Sequence, residues 1–101
     1  DKAYTLVTLP FERWLKQIPE AFLNRLDWVY LDPPYGYPGL QTLLRQILPK
    51  LSSGCVLIVE HGRSDKEMTM LREFHTAHCQ HCDLHKQIDC GDTGVCIFVV
   101  I

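Results

Sequence analysis

The stretch "VYLDPPYGYPGLQTLLRQILPKLSSGCVLIV" (residues 29–59) has the order strand, loop, helix, strand. Its two ends, "VYL" and "CVLIV", are continuous apolar runs, as in strands that are buried on both faces. Apolar residues at helical spacing lie between them: Leu40, Leu43, Leu44, Ile47, Leu48 and Leu51. This stripe predicts an amphipathic helix over residues 38–51. Two strands joined through a helix form a parallel pair, so the stretch predicts an α/β fold.

Upstream of this stretch, the sequence predicts one strand and two short helices. The run "AYTLVTL" (residues 3–9) is rich in strand-forming residues and ends at Pro10, which suits the first turn of a helix. Apolar residues at helical spacing follow: Phe11, Trp14, Leu15 and Ile18. Pro19 interrupts that helix, and "EAFLNRL" (residues 20–26) favours a second one.

Downstream, the sequence predicts a third helix and a β-hairpin. Ser64 with Glu67 three positions later is a capping-box pattern that opens a helix. One face of this helix is formed by Met68, Leu71, Phe74 and His75. The runs at 84–90 and 95–101 flank the turn "GDTG" (residues 91–94) and predict an antiparallel pair. The whole order predicts one domain with a mostly parallel sheet, helices on its faces and one antiparallel strand at the end.

The composition limits the classes of function. The chain has 101 residues, 47% of them hydrophobic, and a net charge of −2. A nucleic-acid partner therefore requires a local site, because no overall positive charge attracts one. No run approaches the ~20 apolar residues of a membrane span, and the N-terminus lacks a signal-peptide pattern. We expect a cytoplasmic protein without a membrane partner, whose five cysteines are reduced thiols.

The motif Asp32-Pro33-Pro34-Tyr35 follows the first buried strand of the opening stretch. Ligands bind in open α/β sheets beyond the carboxyl ends of the strands. Consecutive prolines fix the backbone and donate no hydrogen bond, so the Asp32 carboxylate and the Pro33 carbonyl offer two acceptors at a fixed spacing. Such a pair suits the two N–H bonds of an exocyclic base amine. Tyr35 can stack on the face of a flipped base. A purely structural strand-to-loop turn is the alternative.

The segment "VYLDPPYGYPGLQTLLRQILPKLSSGCVLIVEHGRSD" resembles the RsmD-like methyltransferases, with a match from Trp28 to His61. A weaker resemblance continues through "HKQIDCGDTGVCIFVV" (residues 85–100). The family transfers a methyl group from S-adenosylmethionine to the N2 amine of a guanine in 16S ribosomal RNA. The resemblance implies a Rossmann-like class I methyltransferase sheet, whose last strand is antiparallel.

The resemblance also implies a site, a cofactor and a partner. Asp32 and the Pro33 carbonyl would hold the guanine amine, with Pro34 as part of the same catalytic motif and Tyr35 stacked on the base. S-adenosylmethionine would be the cofactor, and 16S rRNA or an assembling small subunit the partner. Family members carry a glycine-rich cofactor loop upstream, whereas no G-x-G precedes Asp32 here. We therefore expect residues 1–101 to be the C-terminal part of the domain, to bind S-adenosylmethionine poorly, to be inactive alone, and to be able to pair with a second copy.

Two other functions remain open. The Asp-Pro-Pro-Tyr motif is shared with adenine-N6 DNA methyltransferases, so it indicates an amine target without identifying the base. The stretch "HTAHCQHCDLH" (residues 75–85) has C-x2-C spacing at Cys79 and Cys82 and H-x3-H spacing at His81 and His85. These spacings allow a noncatalytic module stabilised by zinc, although a solvated loop without metal is favoured here.

The remaining candidate residues are predicted to have structural roles. Glu60 and His61 end the second buried strand, where a structural or loop-orienting role is favoured for both and a role of His61 as a base is the alternative. Cys55 and Cys96 fall within apolar strands and are predicted to lie in the core. Both tryptophans, at positions 14 and 28, are predicted to be packing residues.

Overall fold

The computed structural model of the protein describes residues 11–34 and 36–101. Its elements in chain order are α1 (Phe11–Gln17), α2 (Glu20–Leu23), β1 (Trp28–Leu31), α3 (Leu40–Ile47), a 3-10 helix (Leu48–Lys50), β2 (Val56–Gly62), α4 (Asp65–His78), β3 (Cys82–Cys90) and β4 (Thr93–Val100). The strand predicted at residues 3–9 lies outside the described ranges. Of the helices within those ranges, none has both the length and the apolar content needed to cross a bilayer.

The four strands form one open sheet in the order β1-β2-β4-β3. β1 and β2 are parallel, with Leu31 opposite Val59. β4 lies between β2 and β3 and is antiparallel to both. Within the described sheet, β1 and β2 are thus the one parallel pair, although β3 runs in the same direction as they do. The fold is α/β with a mixed sheet, and the predicted mostly parallel sheet is found only in part.

The C-terminal hairpin has a shorter turn than the sequence suggested. Gly91 and Asp92 alone connect β3 to β4, because Thr93 and Gly94 already belong to β4. Gly91 has a φ of 62°, which side chains with a Cβ rarely adopt. Gly94 pairs with His61 of β2, and this pairing extends β4 into the expected turn. The predicted four-residue turn at 91–94 is therefore corrected to two residues.

One face of the sheet carries the hydrophobic core. Alternate residues of β2 and β4 are buried on it: Leu57, Val59, His61, Gly94, Cys96, Phe98 and Val100. Buried leucines of the helices join them in one cluster. Phe74 of α4 meets Phe98 edge to face, with ring centroids 5.7 Å apart. The predicted burial of Cys55 and Cys96 is confirmed.

The opposite face of the sheet is covered by none of the described helices. Trp28 and Tyr30 of β1 each expose 48% of their surface there. Val56, Ile58 and Ile97 are partly exposed beside them and do not pack against the core. The prediction that Trp28 is a packing residue is therefore wrong, because its strand is buried on one face and not on both. The side chain of Trp14 lies outside the described set.

Both long helices begin or end for reasons visible in the sequence. The six stripe residues predicted between 40 and 51 are all buried, but α3 ends at Ile47 and not at residue 51. Pro49 has no amide to continue the α-helical hydrogen bonds, so the chain tightens into the 3-10 turn. α4 begins as predicted, with the Ser64 hydroxyl accepting a hydrogen bond from the Glu67 amide at 3.2 Å.

Candidate functional site

The Asp-Pro-Pro segment lies where the chain leaves the carboxyl end of β1. Leu31 is buried and anchors the end of the strand, whereas Asp32 is exposed directly after it. Pro33 is half-buried and Pro34 is exposed. Among the described residues, none forms an ion pair or hydrogen bond with the Asp32 side chain, and no amide donates to the Pro33 carbonyl. Tyr35 lies outside the described residues. The Asp32 carboxylate and the Pro33 carbonyl thus lie beyond the carboxyl end of β1. We call this end of the sheet, beyond β1 and β2, the open edge.

The segment after Asp32 turns sharply before α3 begins. The Pro34 carbonyl accepts a hydrogen bond from the Tyr37 amide at 3.1 Å, and the Tyr37 carbonyl accepts one from the Leu40 amide at 3.3 Å. Gly36 has a φ of 72°, in the left-handed region that favours glycine. The Tyr37 ring packs on Gly39, where an added Cβ would lie 3.1 Å from the ring. Glycine at both positions therefore lets the chain return towards the core.

The end of β2 places a buried histidine beside this edge. His61 is 1% exposed, and its ring covers Gly94, where a Cβ would lie 2.4 Å from Cε1. Burial, and then the charge of Asp89, raise the pKa of Cys96 to about 11, so Cys96 keeps its proton at neutral pH. Its thiol lies 3.4 Å from His61 Nε2 and can donate to it. The Nδ1–H then donates to the Gly62 carbonyl, at 2.7 Å.

This geometry gives His61 a structural role, as predicted. Both ring nitrogens are engaged inside the protein, and the ring is closed off from the sheet edge. Glu60, the preceding residue, points to the opposite face, where its carboxylate accepts a hydrogen bond from the Tyr30 hydroxyl. The pair connects β1 to β2 across the sheet.

The Glu67 carboxylate joins three segments at this edge. Its Oε2 accepts hydrogen bonds from the amides of Gly36 and Gly62, both at 3.0 Å. Its Oε1 accepts one from the Ser64 hydroxyl at 2.9 Å. Burial alone would raise the pKa of Glu67, but the hydrogen bonds from Gly36, Ser64 and Gly62 outweigh it and lower the pKa. The capping-box pattern predicted the bond from the Glu67 amide to the Ser64 hydroxyl, and no local pattern predicts the contact with Gly36.

The cysteine and histidine stretch is divided between the surface and the core. Cys82 begins β3 and is fully buried, with its thiol directed at the His78 carbonyl 3.6 Å away. Cys79, His81 and His85 are exposed. Within the described part of the chain, no three His, Cys, Asp or Glu side chains are grouped so that they could hold a metal ion. Among these described residues, the C-x2-C and H-x3-H spacings therefore do not gather three metal-ligating side chains at one place.

A shallow cavity of about 250 Å³ lies between α4 and the hairpin, away from Asp32. Met68, Leu71, His75, Leu84 and Phe98 line much of it. None of its lining residues belongs to the Asp-Pro-Pro segment or to the end of β2. The candidate site is therefore the exposed edge beyond β1 and β2 and not this cavity.

Comparison with known proteins identifies no family for this chain. No protein-family model matches it, and no curated protein is significantly similar to it. Any assignment of function therefore depends on the residues at the open edge of the sheet.

Proposed function

We propose that the chain is the C-terminal part of a methyltransferase that uses S-adenosylmethionine to methylate the exocyclic N2 amine of a guanine in 16S rRNA, in the cytoplasm. The observation that carries the proposal is the exposed Asp32 carboxylate beside the Pro33 carbonyl, at the carboxyl end of a strand in an open α/β sheet. This is the edge at which such sheets bind ligands.

The chemistry of the two acceptors supports an amine as the target. A base amine is a poor nucleophile because its lone pair is delocalised into the ring. Two acceptors on its N–H bonds favour a pyramidal nitrogen and offset the positive charge that develops when the nitrogen attacks an electrophilic methyl group. The fixed backbone of Pro33 and Pro34 would hold these acceptors in place without further ordering when the base binds. A base stacked on Tyr35 would gain about 1 to 3 kcal/mol.

The fold supports the class of the enzyme. The last strand, β4, is antiparallel to its neighbours, while β1, β2 and β3 run in one direction. An antiparallel last strand is what the resemblance to class I methyltransferases implies. The buried His61 ring does not face this edge, and no base is needed there, because a methylated amine loses its extra proton readily.

The proposal assigns the glycine-rich cofactor loop to other parts of the domain, because no G-x-G precedes Asp32 in this chain. Of the glycines with positive φ in the described residues, Gly36 lies in the loop after Asp32, and Gly54 and Gly91 lie in the turns before β2 and β4. The uncovered face of the sheet supports the view that further parts of the same domain pack against it. We accordingly assign the residues of this chain to holding the amine and not the methyl donor.

The test is a substitution of Asp32 in the full-length protein. Asp32→Ala removes one of the two acceptors, and we expect methyl transfer to a 16S rRNA fragment to fall by at least about 100-fold. Asp27→Asn is the matched control, because Asp27 is also exposed and lies at the opposite end of the same strand. If Asp32→Ala folds normally and methylates as well as Asp27→Asn, the proposal is wrong.

A further inference from the structure

The Glu67 carboxylate is the point at which the loop after Asp32 meets the rest of the protein. Gly36 lies 31 residues before Glu67 in the chain, yet its amide donates to the same oxygen as the Gly62 amide. The second oxygen is held by the Ser64 hydroxyl, whose oxygen in turn caps the first turn of α4. One side chain thus links the loop after β1, the end of β2 and the start of α4.

We propose that Glu67 is a positioning residue that holds the Asp32–Gly36 loop against the end of β2. The loop needs an external partner because its prolines donate no hydrogen bonds of their own. Its internal hydrogen bond, from the Tyr37 amide to the Pro34 carbonyl, fixes the turn but not its position relative to β2. The bond from the Gly36 amide to Glu67 supplies that position.

The residues around the Glu67 carboxylate leave room for it and donate hydrogen bonds to it. A Cβ on Gly62 would lie 2.5 Å from Glu67 Oε1, so the carboxylate can sit there only beside a glycine. The groups that face it are uncharged amides from the loop and from Gly62, the Ser64 hydroxyl, and the His61 ring from β2. These contacts favour the ionised carboxylate, because hydrogen bonds from donors are stronger when the acceptor carries a charge.

The hydrogen bond from the Gly36 amide to the Glu67 carboxylate, called the tether below, does not depend on the function proposed above. Its consequence for methylation does. A loop held in one position keeps the acceptors of Asp32 and Pro33 aligned with the amine. Small displacements of such groups strongly lower the rate of the reaction. Glu67 has no contact with the amine in this scheme. It acts through the Gly36 amide alone.

The experiment is an NMR titration of the full-length protein, with the amide signals of Gly36 and Gly62 followed as the pH falls. We expect both amides to shift with one common midpoint, below the ordinary glutamate value of 4.5, because both donate to one oxygen. In Glu67→Gln the amide oxygen can still accept both bonds, so protection of the Gly36 amide from hydrogen exchange persists while the titration disappears. In Glu67→Ala, protection of the Gly36 amide falls by about tenfold or more.

Two further variants keep the test decisive. Glu73→Gln removes an exposed carboxylate from the same helix and is expected to leave both amides unchanged. Gly62→Ala pushes the carboxylate away without removing it and is expected to release the Gly36 amide as Glu67→Ala does. If the two glycine amides titrate separately, or if the Gly36 amide stays protected in both Glu67→Ala and Gly62→Ala, the tether does not exist.

Activity of the full-length protein then separates this proposal from the previous one. A tether seen by NMR, together with a fall in kcat of about tenfold in Glu67→Ala and partial rescue in Glu67→Gln, supports both. A tether seen by NMR in a protein that methylates no RNA or DNA contradicts the proposed function and leaves the tether standing. Active enzyme in which Glu67→Ala keeps the wild-type kcat contradicts the positioning role alone.

Discussion

Replacing Gly94 by alanine tests the buried contact between β4 and His61. The added Cβ would lie 2.4 Å from His61 Cε1 and 2.9 Å from Nε2, whereas carbon atoms in contact prefer about 3.5 to 4.0 Å. The ring cannot easily retreat, because Nδ1 is bonded to the Gly62 carbonyl at 2.7 Å and Nε2 lies 3.4 Å from Cys96 Sγ. We therefore expect a loss of about 1 to 3 kcal/mol in the free energy of unfolding, the usual cost of overpacking a core.

The assay is urea denaturation of the wild-type chain, Gly94→Ala, His61→Ala and the double variant. His61→Ala alone is destabilising, because it empties a buried site and leaves the Cys96 thiol unpaired. In that background the new methyl group at position 94 enters vacated space, so the substitution should cost close to nothing. The double-mutant cycle then gives a coupling energy of about 1 kcal/mol or more. An equal cost of Gly94→Ala with and without the imidazole would show that the His61 ring does not crowd position 94.

Four further predictions follow from single features of the chain. Iodoacetamide at about pH 8 should alkylate the exposed Cys79 and Cys90 well before Cys96, whose pKa is raised to about 11 by burial and by Asp89; equal rates by mass spectrometry would contradict this. The lowered pKa of Glu67 means that its contribution to stability is complete above pH 4.5 and is lost as the pH falls through the folded-state pKa; urea unfolding in acid should show this loss, and Glu67→Gln should remove it. Gly36→Ala, at a φ of 72°, should lower the free energy of unfolding by about 1 kcal/mol, and an unchanged urea midpoint would be the contrary result. The 101-residue chain alone should show no micromolar binding of S-adenosylmethionine in isothermal titration, and such binding would contradict the assignment of the cofactor site to other parts of the domain.

Local patterns predicted much of the element order. From residue 11 onwards, each helix and strand expected from apolar spacing is present, since burial of one face imposes that spacing. The start of α4 at Ser64 followed from its cap, because a side chain three residues away satisfies the free amide. The early end of α3 is also predictable from the sequence, because Pro49 lies within the predicted helix.

The features that depend on distant contacts could not be predicted. The insertion of β4 between β2 and β3 depends on pairing over the whole sheet, and no short pattern encodes it. The exposure of Trp28 arises because none of the described helices covers its face, although the strand itself is as apolar as a buried one. The bond between Gly36 and Glu67 joins residues 31 positions apart. The position of Asp32 after an apolar strand indicated an exposed edge, and the structure places it at one.

The identity of the methylated nucleoside shows directly whether Asp32 and Pro33 hold a guanine amine for methylation. The full-length protein would be incubated with labelled S-adenosylmethionine and either a 16S rRNA fragment or duplex DNA, and the digested products analysed by mass spectrometry. We expect N2-methylguanosine in the RNA, and its loss in Asp32→Ala. N6-methyladenine in the DNA would select the rival enzyme, and no methylated base in either substrate would contradict the claim that this edge of the sheet holds an amine for methylation.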